Sequence, residues 1–245
     1  MSYNNPYMAP SELATGGYIN YEPSAITVTF MDVHYSLSTG QLNGGFHHTL
    51  GIRNQQLTFM VNTEKELPGG SAAEYLSMEF QHLDLPIHFC TALMTSATME
   101  RHVYTKIEQD DTIVETIVTG GFECTTQRAG TGYHYVEKDG EFHQPGTLNI
   151  LVFTNKALTD GAMTKALITI TEAKTAAFQD AQVASTMNPV HVATGTATDG
   201  IILTIDTNGE ILTDAGTFSL FGDTLAKAVY IGVQRALEVS KNFPN

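Results

Sequence analysis

The sequence predicts an α+β fold: a single domain with a mixed or antiparallel sheet, hairpins, and about three main helices packed on it. Three observations predict it. The chain has 245 residues and is 42% hydrophobic, enough to bury one sizeable core. Short apolar or alternating runs bounded by turn residues recur along its length. Two long stretches in the C-terminal half place their apolar residues at helical spacing.

Each element has a local reason. Residues 1–24 are rich in Asn, Pro, Tyr, Gly and Ser and are expected as a flexible N-terminal arm before a domain at 25–245. Ile26 to Met31 alternates apolar residues with Thr and reads as the first strand, and Gln56 to Val61 as another. After the Pro68-Gly69-Gly70 loop, Ser71 and Glu74 form a capping box for a helix ending near Leu83. Val103 to Ile107 and Thr112 to Val118 flank Gln109-Asp110-Asp111 as a hairpin. Lys138-Asp139-Gly140 is expected as a second turn, and Asn208-Gly209 as a third, joining Ile201–Ile205 to Ile211-Leu212. Leu148 to Thr154 reads as a central buried strand. Helices are expected from about Asp160 to Asp180, capped by Thr159, and from about Leu220 to Val239, capped by Ser219.

Composition narrows the function. Lys and Arg total 12 against 26 Asp and Glu, giving a net charge of −14. A surface that acidic repels phosphate backbones and anionic membranes, so neither nucleic acid nor membrane is expected as a partner. No apolar run is long enough to cross a bilayer, and the first residues lack the basic-then-apolar pattern of a secretory signal, so a cytoplasmic location is expected. Cys90 and Cys124 are expected as reduced thiols, because they form neither a disulfide framework nor a metal spacing. No metal motif, nucleophile elbow, Walker loop or dinucleotide fingerprint is present.

Several constellations could carry chemistry. Ser38, Thr39, Asn43, Gly44 and Gly45 follow a strand in a glycine-rich segment whose backbone N–H groups, with the Asn43 amide, could bind an oxyanion, or which could be an ordinary turn. Gly120 and Gly121 follow another strand end. Thr147 and Asn149 enter the buried strand at 148–154 on one face. Thr196, Thr198 and Asp199 crowd one turn before a further apolar strand. Of the adjacent His47 and His48, at most one faces a site on a strand; His47 is the reserve base. The sharpest signal is Lys174. At about 100° per residue, it falls inside the apolar stripe of Met163, Ala166, Leu167, Ile170, Ala173, Ala177 and Phe178. A lysine there must pair, snorkel or reach a polar cleft. Asp199 is the partner first expected for it.

Taken in order, six segments resemble the adenosylcobinamide amidohydrolase family. They are Leu37 to Gly45, Met94-Thr95-Ser96-Ala97, Thr119-Gly120-Gly121, Gly146-Thr147-Leu148-Asn149-Ile150, Glu172 to Ala177, and Thr194 to Asp199. The likeness covers roughly residues 26–240 and is closer from Gly146 on. It departs at Cys124, where the family segment has asparagine. The resemblance implies hydrolysis of the amide joining a corrin propionyl side chain to aminopropanol, or its phosphate, giving adenosylcobyric acid for cobamide salvage. It also implies a corrinoid as small-molecule partner, no required cofactor, no protein-bound metal, and cobalt only within the substrate. Lys174, Asp199, Ser38 and Asn43 are the expected catalytic residues. Thr39, Gly44, Gly45, His47, Thr95, Gly120, Gly121, Thr147, Asn149, Thr196 and Thr198 are expected to bind substrate. A corrinoid carrier without chemistry and an acyltransferase on another substrate are the alternatives; a homodimer is the expected assembly on general grounds.

Overall fold

The alternation noticed at Ile26–Met31 belongs to a longer strand. In a computed structural model, which describes residues 5–122, 124–133 and 148–242, β1 (Tyr18–Glu22) is followed by β2 (Ala25–Ser38) and β3 (Gly45–Gln56). Then come α1 (Ala72–Phe80), β4 (Cys90–Thr95), β5 (Val103–Gln109), β6 (Thr112–Gly120) and the two-residue β7 (Thr126–Gln127). The C-terminal half holds β8 (Leu148–Thr154), β9 (Ala157–Leu158), α2 (Asp160–Asp180), β10 (Gly195–Thr196), β11 (Gly200–Ile205), β12 (Ile211–Leu212) and α3 (Leu220–Asn242). The class is the α+β expected, with a mixed sheet and three α-helices among the described residues.

The main sheet runs β4-β3-β2-β11-β8-β6-β5, with β1 added on β2. Pairing is antiparallel except β3 with β4 and β8 with β11. The long β2 is irregular between Thr29 and His34, where a register shift bends it. Its first half pairs with β1 and β3, and its second half with β3 and β11. The sheet therefore folds over on itself. Ile26, Val28, Ile52 and Leu93 from one half meet Ile117, Leu151, Phe153 and Ile202 from the other in an inner core. Helices α2 and α3 cover the outer face of the β5-β6-β8-β11 half, and α1 covers β3 and β4.

The helix starts follow their caps. Ser71 accepts from Glu74 N–H, Thr159 from Ala162 N–H, and Ser219 from Gly222 N–H at 3.0 Å. Other expectations move. The strand expected at 56–61 ends at Gln56 and lies upstream as β3. Its signal is hidden because Arg53, Asn54 and Gln55 are polar yet buried. Strand β4 was not anticipated: all six of its residues are buried, so no alternation marks it. The turn at Asn208-Gly209 forms, with Gly209 N–H donating to Asp206 O at 3.1 Å, but it makes no hairpin. Strand β12 pairs in parallel with β9 instead of with β11. The turn expected at Lys138-Asp139-Gly140 lies outside the described residues.

Residues 5–24, expected as an arm, are packed against the sheet. Leu13 and Ile19 belong to the inner core. The fully buried Glu115 of β6 accepts from the N–H groups of Ala14 and Thr15 and from the Thr15 and Tyr104 hydroxyls. Four donors satisfy the carboxylate and tie the N-terminal segment to the centre of the fold.

Candidate active site

Helix α2 carries its apolar stripe onto the sheet, with Met163, Ala166, Ile170, Ala173, Ala177 and Phe178 buried. Lys174 lies in that stripe and is itself buried at 8% exposure. Its ammonium is held by Asp199 Oδ2. Asp199 Oδ1 accepts from Thr196 N–H at 2.8 Å and from the Thr196 hydroxyl at 2.6 Å. The carboxylate is thus fixed by a turn on one side and a cation on the other. A Cβ at Gly195 would lie 2.6 Å from Lys174 Nζ and closer still to Asp199 Oδ2, so the pair requires glycine there. The Thr175 hydroxyl bonds Thr194 O at 3.2 Å and ties the helix to the same turn. In the same turn, the Thr198 hydroxyl is buried with no hydrogen-bond partner among the described residues. Both charged side chains keep a small solvent-facing edge, at 10% and 13% exposure.

A polar layer lies beneath. Asn149 opens β8 opposite Thr119 of β6 and Gly200 of β11. Its amide donates to Asn54 Oδ1 at 2.7 Å and to Met94 O at 3.0 Å, and Asn54 donates to the Thr119 hydroxyl at 2.8 Å. These bonds join the two halves of the folded sheet directly under Asp199-Gly200. A Cβ at Gly200 would come within 2.5 Å of Asn149 Oδ1. Asn149 is 1% exposed, so it supports the site floor and does not line the surface.

The glycine-rich segment after β2 meets this region through Thr39. Its N–H donates to Ile201 O, and its hydroxyl accepts from Ile201 N–H, both at 2.9 Å. Thr39 thereby continues the β2–β11 pairing to within two residues of Asp199. Ser38 is 4% exposed, and its hydroxyl accepts from Gly40 N–H at 2.9 Å while lying 2.9 Å from the Thr91 hydroxyl. Asn43 sits at φ 48° and gives its amide to Ile87 O and Cys90 O, at 2.9 and 2.7 Å. Those contacts engage both groups in holding the loop. Gly44 and Gly45 lie exposed on it. His47, on β3, has a buried Nε2 with no partner among the described residues; burial holds its pKa below the usual imidazole range, against a hydrogen bond to the His88 backbone and with the help of the His48 and His88 charges.

The remaining expected residues are scattered. Thr95 is fully buried, and its hydroxyl accepts from Ala97 N–H at 3.1 Å. The Phe122 ring lies over Gly120, leaving no room for a Cβ, and packs edge-on to Phe178. Gly121 follows half-buried. Thr147 lies outside the described residues. Lys174, Asp199, Thr196 and Thr198 are thus brought together, Thr39 adjoins them, and Asn149 lies one layer below. Asn54 was missed; its only signal was polarity inside a run that reads as strand. Among the described residues no three His, Cys, Asp or Glu side chains are grouped to hold a metal ion, and no helix is long and apolar enough to cross a membrane.

Comparison with known proteins decides the family: residues 10–244 match the adenosylcobinamide amidohydrolase family. The chain belongs to that family. An adenosylcobinamide amidohydrolase of Methanosarcina mazei is 26% identical over 213 residues, spanning 83% of this chain and 90% of that protein. An uncharacterized protein of Methanocaldococcus jannaschii is 38% identical over 157 residues, spanning 59% of this chain and 61% of the relative's length. A solved structure from Pyrococcus horikoshii aligns with 97% of this chain and 82% of its own at 10% identity, with a TM-score of 0.42.

For a member of this amidohydrolase family, the geometry around Lys174 has a defined chemical content. The nearly buried ammonium is oriented by a carboxylate that is itself held by Thr196. A fixed charge at the edge of a low-dielectric core acts strongly on charge that develops nearby. Cys90 offers no nucleophile, since burial pushes its thiol up to about 12.

Proposed function

We propose that the protein hydrolyses the amide between the corrin propionyl side chain and aminopropanol in adenosylcobinamide, or in its phosphate, releasing adenosylcobyric acid and the amino alcohol. The family match over residues 10–244 carries this reading. The reaction as proposed needs water and no added metal or cofactor; the cobalt is part of the substrate. A corrinoid intermediate in salvage would be met in the cytoplasm.

The chemistry has three requirements: an activated nucleophile, a stabilised oxyanion and a proton for the leaving amine. Water is the favoured nucleophile, because the Ser38 hydroxyl is buried and engaged by Gly40 N–H. Asp199 Oδ2, paired with Lys174 and 13% exposed, accepts the proton as water adds to the carbonyl carbon. The Lys174 ammonium stabilises the oxyanion, which the Asn43 amide cannot do while it bonds Ile87 O and Cys90 O. Collapse breaks the C–N bond, and the proton taken from water returns to the departing amine.

The test is conversion of adenosylcobinamide by the purified protein, followed by chromatography and mass. Adenosylcobyric acid with free aminopropanol is the expected outcome. A corrinoid that binds and stays whole would replace the enzyme with a carrier.

A further inference from the structure

The amide to be cut is a small part of a large molecule, so most of the substrate must rest on the surface beside Lys174 and Asp199. One part of that surface is shaped to receive it. Tyr35 and Phe46 face each other across β2 and β3, in the register that sets Leu37 opposite Phe46 and Tyr35 opposite His48. Their ring centroids are 6.0 Å apart and their planes are within 17°. Phe46 is 42% exposed. His48 is tilted against Tyr35 with centroids 5.1 Å apart, forming a side wall. Tyr35 and Leu37 also pack against the core under α2, which places this shelf on the sheet face that carries Lys174. The Tyr35 hydroxyl is held by Asp160 at the start of α2; burial, and then that carboxylate, raise its pKa.

The strand register sets the separation of shelf and site. Leu37 lies opposite Leu203, four residues beyond Asp199, and Phe46 lies one strand further out. At roughly 3.3 Å per residue and 4.8 Å between strands, the ring is about 15 Å from the carboxylate. The segment that joins them, residues 39–45, carries Gly40, Gly44 and Gly45 beside the larger Gln41, Leu42 and Asn43. A Cβ on Gly45 would meet nothing within 4 Å, so the space above it is open.

We infer that Tyr35 and Phe46 form a stacking seat for a planar ring system of the substrate, with the glycines beneath the path from that seat to the scissile amide. The inference rests on the function proposed above. The shared chemistry is a flat conjugated ring, which the substrate offers twice, as the corrin macrocycle and as the adenine of its adenosyl group.

Equilibrium dialysis of the full chain with adenosylcobinamide and with aquacobinamide, which lacks the adenosyl group, tests it. The variants are Phe46→Ala and Phe46→Tyr, each checked for native circular dichroism. Loss of a stacked ring is expected to weaken binding at least about fivefold in Phe46→Ala, with Phe46→Tyr near the parent. A loss confined to the adenosyl form assigns the seat to adenine, and an equal loss for both forms assigns it to the corrin ring. Unchanged affinity for both ligands overturns the seat while leaving the hydrolytic reading in place. Parent protein that neither binds nor converts either corrinoid overturns the reading itself, and the seat with it.

Discussion

At the scale of single residues, the account rests on Lys174 and the atoms that hold it. Lys174→Met keeps the length of the side chain and removes its charge, so turnover should fall at least about a hundredfold in protein that retains native circular dichroism. Near-parent turnover would remove Lys174 from the chemistry. Gly195→Ala is a subtler probe, because its Cβ would enter the space between Lys174 Nζ and Asp199 Oδ2. It should lower kcat roughly tenfold or more with the fold retained, since a displacement of about 1 Å costs that much in an oriented site. The lysine was legible because an apolar stripe exposes an intruding charge, and Asp199 because it crowds a glycine-threonine turn. The placements of Ser38 and Asn43 were not legible. Their partners, Thr91, Ile87 and Cys90, come from residues 44 to 53 positions away, and no local pattern shows such contacts.

At the scale of elements, helices announced themselves and strands did so unevenly. Caps and periodicity placed α2 and α3 because both signals are local. Strand β4 and the second half of β3 escaped because they are buried on both faces, β3 by a charged network. Arg53 is 1% exposed; it bonds Glu22 at 2.6 Å, Glu79 at 3.3 Å, Gln55 at 2.7 Å and Thr27 at 2.8 Å. It fastens β1, β2 and α1 to β3. Removing one member of such a network strands its partners, so Arg53→Met should cost about 3 kcal/mol in urea unfolding. A loss below about 1 kcal/mol would show that the network is solvated and weak.

At the scale of the whole molecule, the fold is a bent sheet with helices on its outer faces, and its acid sensitivity follows from groups inside it. His102 is 1% exposed, with Nδ1 at 2.7 Å from Met99 O and Nε2 at 3.2 Å from Ala9 N–H. The second bond requires an unprotonated Nε2. Burial holds the His102 pKa below its ordinary 6.5, although the Met99 carbonyl pulls the other way. The neutral form is favoured on folding, so this stability is present above 6.5 and is lost as pH falls toward the depressed folded value. Glu22 behaves alike at lower pH. Burial raises its pKa, but the Arg53 hydrogen bond and charge, helped by His82, carry it below 4.5, so its contribution is lost as pH falls through the lowered value. The urea midpoint should therefore drop in two stages on acidification, and His102→Gln should flatten the first. A midpoint constant from pH 7 to 5 would contradict this account.

The proposed function names one bond, and labelled water tests that bond directly. The purified protein is incubated with adenosylcobinamide in water enriched in heavy oxygen, and the corrinoid is analysed by mass. Hydrolysis at the proposed amide predicts adenosylcobyric acid with one heavy oxygen in the new carboxylate, beside unlabelled aminopropanol, and almost no product from Lys174→Met. Unlabelled adenosylcobyric acid, or adenosylcobinamide recovered whole, would contradict it.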